Sequence, residues 1–154
     1  MSKTVAENRK ARFNYHLEDK VEAGLELFGW EVKSARVGTV SLAESFVRFQ
    51  QGQGQSVEAF LKNAHFSKYK NSPERDQDPT RDRRLLLKRN QIEKMHKAVA
   101  TKGVTCVVTR IYFTSRGLLK AEIALAKGKK LHDKKQTLKE RDLDREARRA
   151  SEDK

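Results

Sequence analysis

The 154-residue sequence predicts a mainly β protein, a small antiparallel β-barrel of OB type with two or three flanking helices and a basic C-terminal tail. Short apolar runs alternate with polar residues at the period of a strand. Turns containing glycine separate these runs, and two segments have the spacing of amphipathic helices. Five or six short strands and two helices in about 110 residues are typical of a Greek-key barrel, whose open face commonly binds oligonucleotides.

The first half of the chain alternates predicted strands with one helix. Residues 13–17 alternate as a strand, and residues 19–27 have a cap residue and helical spacing that ends at Gly29. In the next predicted strand, Trp30 is expected in the core rather than stacked on a ligand, while Glu31 faces solvent. The later strands of this half cover 30–37, 45–50 and 57–61, with a glutamine-rich hairpin tip at 51–55. Residues 65–69 either extend the last of these strands or cross to the next one.

The second half begins with a loop and ends with a hairpin. Residues 70–82 hold both prolines and are expected to form a long surface loop. Asn90 followed by Glu93 has the pattern of a capping box, which predicts a helix over residues 90–101 with His96 packed in the core. Two β-rich runs then follow, joined by a glycine turn, at residues 104–114 and 118–126.

The charge of the chain indicates a polyanionic partner. The formal net charge is +13, of which residues 1–126 carry +9 and residues 127–154 carry +4. A pI near 10.0 in a small domain favours a nucleic acid. An anionic membrane would require an amphipathic helix with bulky apolar residues, which the tail lacks. The sequence has no apolar run typical of a signal peptide or a membrane span, so we expect a cytoplasmic protein.

The tail, residues 127–154, is the second predicted unit after the body, residues 1–126. From Lys127 to Arg149 it has ten basic residues, five acidic residues and no aromatic residue. Its composition favours helix, and a helix would place four basic residues on one side, namely Lys134, Arg141, Arg145 and Arg148. Two interpretations stay open: a solvated charged tail, and a basic arm that becomes helical against a polyanion.

The sequence offers no constellation typical of catalysis, and we predict no enzyme, metal or cofactor. The four histidines are far apart and none has a partner at a zinc-ligand spacing. The single cysteine, Cys106, lies in a predicted strand and is expected to be a buried, inert thiol. Asp76, Asp78 and Asp82 could serve a metal-dependent nuclease, but basic side chains crowd their loop.

Several runs together resemble the SsrA-binding protein family, whose members are partners of transfer-messenger RNA. The most specific are Gly29-Trp30-Glu31-Val32-Lys33-Ser34 and the lysine-rich block around residue 128. The matching runs follow the family's order over nearly the whole chain, and the others are Asn8-Arg9-Lys10-Ala11, Glu22-Ala23-Gly24-Leu25, Asp78-Pro79-Thr80-Arg81, Arg84-Leu85-Leu86-Leu87 and His132-Asp133-Lys134.

The resemblance implies an OB-fold barrel that clamps the tRNA-like end of transfer-messenger RNA. The complex would enter stalled ribosomes with elongation factor Tu, which contacts the protein only through the RNA, and the unfinished peptide would be tagged. We expect a monomer. A generic basic OB module for single strands or ribosomal RNA is the alternative, and it should stack bases on exposed aromatic residues. The scarcity of aromatic residues favours recognition of a folded RNA instead.

The resemblance also implies the residues that bind RNA. Lys120 suits a phosphate, and Leu86 can pack on an unstacked base or ribose. Glu22 is expected to accept a hydrogen bond from a base edge or a 2′-hydroxyl, or to orient a neighbouring arginine, although its position alone favours an ordinary exposed helical residue. The other residues in this set are Asn8, Lys10, Lys33, Arg36, Arg81, Lys127, Lys129 and Lys130.

For the tail, the resemblance implies that it occupies the empty message channel near the small-subunit decoding centre and folds there into a helix. His132 would stack on a base of the decoding centre. Lys135 stands where the family usually has arginine and lacks its bidentate fork, and Lys88 is a milder departure. The expected ribosome contacts are His132, Asp133, Lys134, Lys135, Arg141, Arg145 and Arg148.

Overall fold

The computed structural model describes residues 3–51, 54 and 56–128, and in this part the chain is mainly β with a few helices. The elements in chain order are β1 Lys3–Glu7, α1 Arg9–Asn14, β2 Tyr15–Leu25, α2 Gly29–Arg36, β3 Val40–Ser41, β4 Phe46–Gln51, β5 Val57–Lys62, β6 His65–Phe66, β7 Arg83–Leu86, α3 Arg89–Val99, β8 Val104–Phe113 and β9 Leu119–Gly128.

Seven strands form one large antiparallel sheet in the order β1-β8-β9-β2-β7-β5-β4, and β3 pairs with β6 separately. The predicted mainly β, antiparallel body is therefore confirmed. The predicted closure into a barrel is wrong, because within the described residues β1 and β4 are edge strands that do not pair with each other. Register shifts bend β2 between Glu18 and Val21 and β8 between Val108 and Arg110. The curled sheet brings β4 near β8 without a ladder between them.

The sequence interpretation of residues 13–37 is largely wrong. Phe13 lies in α1, residues 19–25 belong to β2, and residues 30–36 form α2. Val21 and Leu25 are four residues apart, as in a helix, but with Ala23 they also fit the alternation of a strand. In the structure these three residues lie in the strand β2. In α2 the buried residues follow a helical spacing, namely Trp30, Glu31, Ser34 and Ala35. Glu31, expected on a polar face, is wholly buried.

The interpretation of the remaining elements is closer to the structure. Strands β4, β5, β8 and β9, the helix α3 and the loop at 70–82 agree with their predictions, whereas β1 and β7 had not been predicted. Lys88 precedes α3, and its backbone N–H donates to Gln91 Oε1 at 3.0 Å, so Gln91 replaces Glu93 in the cap. His96 is exposed, not packed in the core, with its ring 5.7 Å from that of Phe49. Positions 52, 53 and 55 of the predicted hairpin tip lie outside the described residues.

The two faces of the sheet have different surroundings. The inner face packs on α2 through Trp30 and on α3 through Met95. The inner face and these two side chains form the main core. Trp30 is thus a core residue, as predicted, and Cys106 is fully buried, with desolvation raising the pKa of its thiol to about 12. At one end of the outer face, α1 packs through Ala11 on Val107. The other end of the outer face carries the polar side chains described next.

Candidate functional site

One row of residues crosses four neighbouring strands on the outer face of the sheet. Leu86 of β7 faces Gly24 of β2, Gly24 faces Lys120 of β9, and Lys120 faces Tyr112 of β8. Cross-strand partners point to the same side of a sheet, and so does Glu22, two residues from Gly24. The structure therefore brings Glu22, Leu86 and Lys120 together on one surface, which we call the outer-face site.

Leu86 provides an exposed apolar surface within this polar site. Its side chain is 48% exposed. A Cβ atom on Gly24 would lie 3.1 Å from Leu86 Cβ, so the glycine allows Leu86 to lie close over β2. A shallow cavity beside Leu86 is also lined by Arg84, Lys88 and Ile92. An exposed leucine flanked by cations suits a ribose or an unstacked base next to a phosphate.

Lys120 is half-buried and has no ion pair among the described residues. Its neighbour Arg110, in contrast, forms an ion pair with Glu122, in which Arg110 Nε lies 3.3 Å from Glu122 Oε2. Thr109 Oγ1 donates to Glu122 Oε1 at 2.8 Å. Burial raises the pKa of Glu122, but the hydrogen bonds from Thr109 and Arg110 and the charges of Arg110 and Lys20 outweigh it and lower that pKa below its ordinary value. Lys120 therefore remains available for a phosphate.

Glu22 is exposed, yet its carboxylate has a partner two strands away. The hydroxyl of Tyr112 donates to Glu22 Oε2. Desolvation, followed by the hydrogen bond and the negative charge of Glu22, raises the pKa of Tyr112 to about 12. The guanidinium of Arg110 lies over the same ring, 4.2 Å from its centroid.

Arg81, a predicted RNA contact, belongs to a different and largely internal cluster. Its Nη2 donates to Glu31 Oε1 at 2.6 Å, and its guanidinium lies 4.4 Å from the ring centroid of Phe28. Arg83 Nε donates to Glu31 Oε2, and Arg83 also donates to backbone carbonyls of the loop at 70–82 and of Ala64. Burial lowers the pKa of Arg83, while Glu31 opposes that shift. Arg81 is thus partly buried, with 27% of its side chain exposed, and it supports the buried Glu31.

Three other predicted residues are engaged in contacts within the protein. Asn8 is buried and caps α1: its Oδ1 accepts from the Ala11 N–H at 3.0 Å, and its Nδ2 donates to the Val108 carbonyl at 3.2 Å. Lys10 Nζ lies 3.7 Å from Glu44 and Lys127 Nζ lies 3.5 Å from Glu18, in pairs that are open to solvent. Exposed pairs of this kind contribute little to stability, so they hold neither lysine firmly.

Lys33 and Arg36 are exposed on α2, which packs on the core side of the sheet through Trp30. Lys33 Nζ lies 5.8 Å from the ring centroid of Tyr69. These two cations therefore lie apart from the outer-face site. The remaining predicted contacts lie outside the described residues, namely Lys129, Lys130, His132, Asp133, Lys134, Lys135, Arg141, Arg145 and Arg148.

Comparisons with known proteins identify the family of the chain. The family model described as SmpB protein matches residues 5–153. The chain belongs to the SmpB family. An SsrA-binding protein of Wolinella succinogenes is 50% identical over 149 residues, covering 96% of this chain and 95% of the relative. One of Afipia carboxidovorans is 48% identical, covering 96% of this chain and 90% of the relative.

A solved structure gives a further comparison for this SmpB-family chain. It is described by the words "tmRNA-SmpB: a journey to the center of the bacterial ribosome". It superposes with a TM-score of 0.65 and 40% sequence identity, and the match covers 81% of this chain and 84% of that one. The likeness extends from the sequence to the arrangement of the strands.

Reasoning from the sequence missed Tyr112, Arg110 and Gly24 in the outer-face site. The available signal was Arg110, the one charged residue of β8, together with Lys120 and Glu122 at alternate positions of β9, which marks an outward face. Within the part that the structure describes, no three His, Cys, Asp or Glu side chains are grouped as a metal site. The described helices are all too short or too polar to cross a membrane.

Proposed function

We propose that this chain is an RNA-binding adaptor that binds the tRNA-like domain of transfer-messenger RNA and delivers it to stalled ribosomes for tagging of the unfinished peptide. The observation that carries the proposal is the convergence of Glu22, Leu86 and Lys120 on one exposed face in a chain of the SmpB family. The protein would act in the cytoplasm as a monomer, with elongation factor Tu reached through the RNA.

The outer-face site supplies complementary contacts for a folded RNA. Lys120 would contact a phosphate, and Leu86 would pack on a ribose or a base displaced from its stack. Phosphate repels the carboxylate of Glu22, so Glu22 would accept from a base edge or a 2′-hydroxyl, which adds selectivity for RNA. We further propose that the curled sheet is an opened OB-type arrangement, in which one face of the sheet receives the RNA.

The rest of the proposal concerns the ribosome. The tail would occupy the empty message channel near the decoding centre, with His132 stacking on a base and the basic residues up to Arg148 facing ribosomal RNA. Truncation after Leu131 should leave binding of the tRNA-like domain nearly unchanged and abolish peptide tagging in a reconstituted translation reaction. Full tagging by the truncated protein would show that residues 132–154 are only a solvated tail with no role in tagging.

A competition titration tests the RNA proposal. Labelled tRNA-like domain is bound at one fixed salt concentration, because phosphate contacts make affinity depend steeply on salt. Ordinary tRNA, duplex RNA and single strands then compete. The adaptor proposal requires that none of them displaces the tRNA-like domain at comparable concentration. Equal displacement by all of them would leave a generic basic binder for nucleic acid.

A further inference from the structure

Tyr112 occupies an unusual position in the outer-face site. It belongs to the exposed face, but its side chain is only 5% exposed. Arg110 covers the ring at 4.2 Å and is itself held by Glu122, with 3.3 Å between Arg110 Nε and Glu122 Oε2. A ring enclosed in this way has few alternative rotamers. The hydroxyl is consequently presented in one place, where it meets Glu22 Oε2.

The register of the sheet shows that this hydrogen bond spans a strand. Tyr112 faces Lys120, whereas Glu22 faces Glu122, and β9 lies between β8 and β2. Like charges directly opposite each other on a sheet repel, so Glu122 tends to push the carboxylate of Glu22 away. An exposed glutamate also retains several rotamers unless it is held. The tyrosine hydroxyl opposes both effects.

We infer that Tyr112 is a positioning residue for RNA recognition, whose hydroxyl holds one carboxylate oxygen of Glu22 so that the other faces the RNA beside Lys120. This inference rests on the proposed function. Glu22 Oε1 makes no hydrogen bond within the part of the chain that the structure describes, so it can accept from a base edge or a 2′-hydroxyl. The Tyr112 hydroxyl is protonated, and therefore a donor, at neutral pH, since burial and Glu22 move its pKa further above its ordinary value of 10.0.

The test is a double-mutant cycle of Tyr112→Phe and Glu22→Ala, each made in the full chain and titrated with the tRNA-like domain at one salt concentration. The phenylalanine keeps the ring beneath Arg110 and removes only the donor. We expect Tyr112→Phe to weaken binding about three- to tenfold, the range for one hydrogen bond. In the Glu22→Ala background the same change should have no further effect, because the hydroxyl then has no carboxylate to hold.

Tyr69→Phe is the matched control, since Tyr69 lies beneath Lys33 on the core side of the sheet. It should bind RNA like the wild type, and the melting temperatures of the single variants should stay close to that of the wild type. Unchanged affinity of Tyr112→Phe, or losses that add in the double variant, would overturn the inference. Failure of the wild-type protein to prefer the tRNA-like domain would instead overturn the proposed function, so the two failures are distinguishable.

Discussion

Glu31 and Glu22 lie on opposite sides of the chain's central sheet, and both carboxylates are held by hydrogen bonds. Glu31 is fully buried, accepts from Arg81 and Arg83, and also accepts from the Phe28 N–H at 2.7 Å at the start of α2. Glu22 is exposed and accepts from one tyrosine hydroxyl. The difference in burial separates their roles. Removing a partner of the buried Glu31 costs much of the free energy of unfolding, whereas the exposed carboxylate of Glu22 can still contact a ligand.

The largest effect should come from breaking the buried side of this comparison. Glu31→Ala leaves the guanidinium of Arg83 buried without its counter-charge, and we expect a loss of about 3–5 kcal/mol in the free energy of unfolding. Urea titration monitored by circular dichroism measures it. Glu22→Ala, the matched control on the exposed side, should change stability by less than about 1 kcal/mol. Equal losses in the two variants would show that burial does not separate the two glutamates.

The next effect concerns RNA binding and compares two lysines. Lys120→Glu and Lys33→Glu make the same change in net charge, one in the outer-face site and one on α2 at the core side. We expect Lys120→Glu to weaken binding of the tRNA-like domain by at least about tenfold and to lower its dependence on salt. Lys33→Glu should have a clearly smaller effect. Similar losses would mean that overall charge, rather than contact, determines the affinity.

The smallest effect is a dependence of stability on pH. The folded protein holds the pKa of Glu122 below its ordinary value of 4.5, so Glu122 stabilises the fold above that value and loses this contribution as the pH falls through its folded pKa. Glu122→Gln should therefore reduce the fall in melting temperature between about pH 5 and pH 3. The corresponding difference in the free energy of unfolding is less than about 1 kcal/mol. A variant with the acid sensitivity of the wild type would exclude Glu122 as the source.

The sequence predicted the mainly β class and the candidate residues for different reasons. The β-rich composition of β8 and β9 and the glycine turn between them were strong local signals, and both strands were found. Glu22, Leu86 and Lys120 came from the resemblance to a family, and the strand register then placed them on one surface. Spacing alone would have given no reason to group three residues so distant in sequence.

The failures have a common physical cause in contacts that are distant in sequence. Glu31 is buried because Arg83, 52 residues away, neutralises it, and nothing near Glu31 in the sequence indicates that partner. Asp19 has a φ of 53° in the irregular part of β2, where the alternation is broken. Tyr112 lies beyond a similar shift in β8, so counting alternate residues from Val104 places it on the wrong face.

The order of the strands also has a consequence for how the chain folds. Thr4 pairs with Tyr112, so β1 acquires its only hydrogen-bonded strand partner among the described residues after more than a hundred further residues have been made. Most of β2 likewise has no pairing strand until β9 has been made, because its pairing with β7 involves only Gly24 and Leu25. Contacts so distant in sequence slow folding. A nascent chain that lacks its last hairpin would expose unpaired strand edges, the surfaces through which incomplete β proteins aggregate.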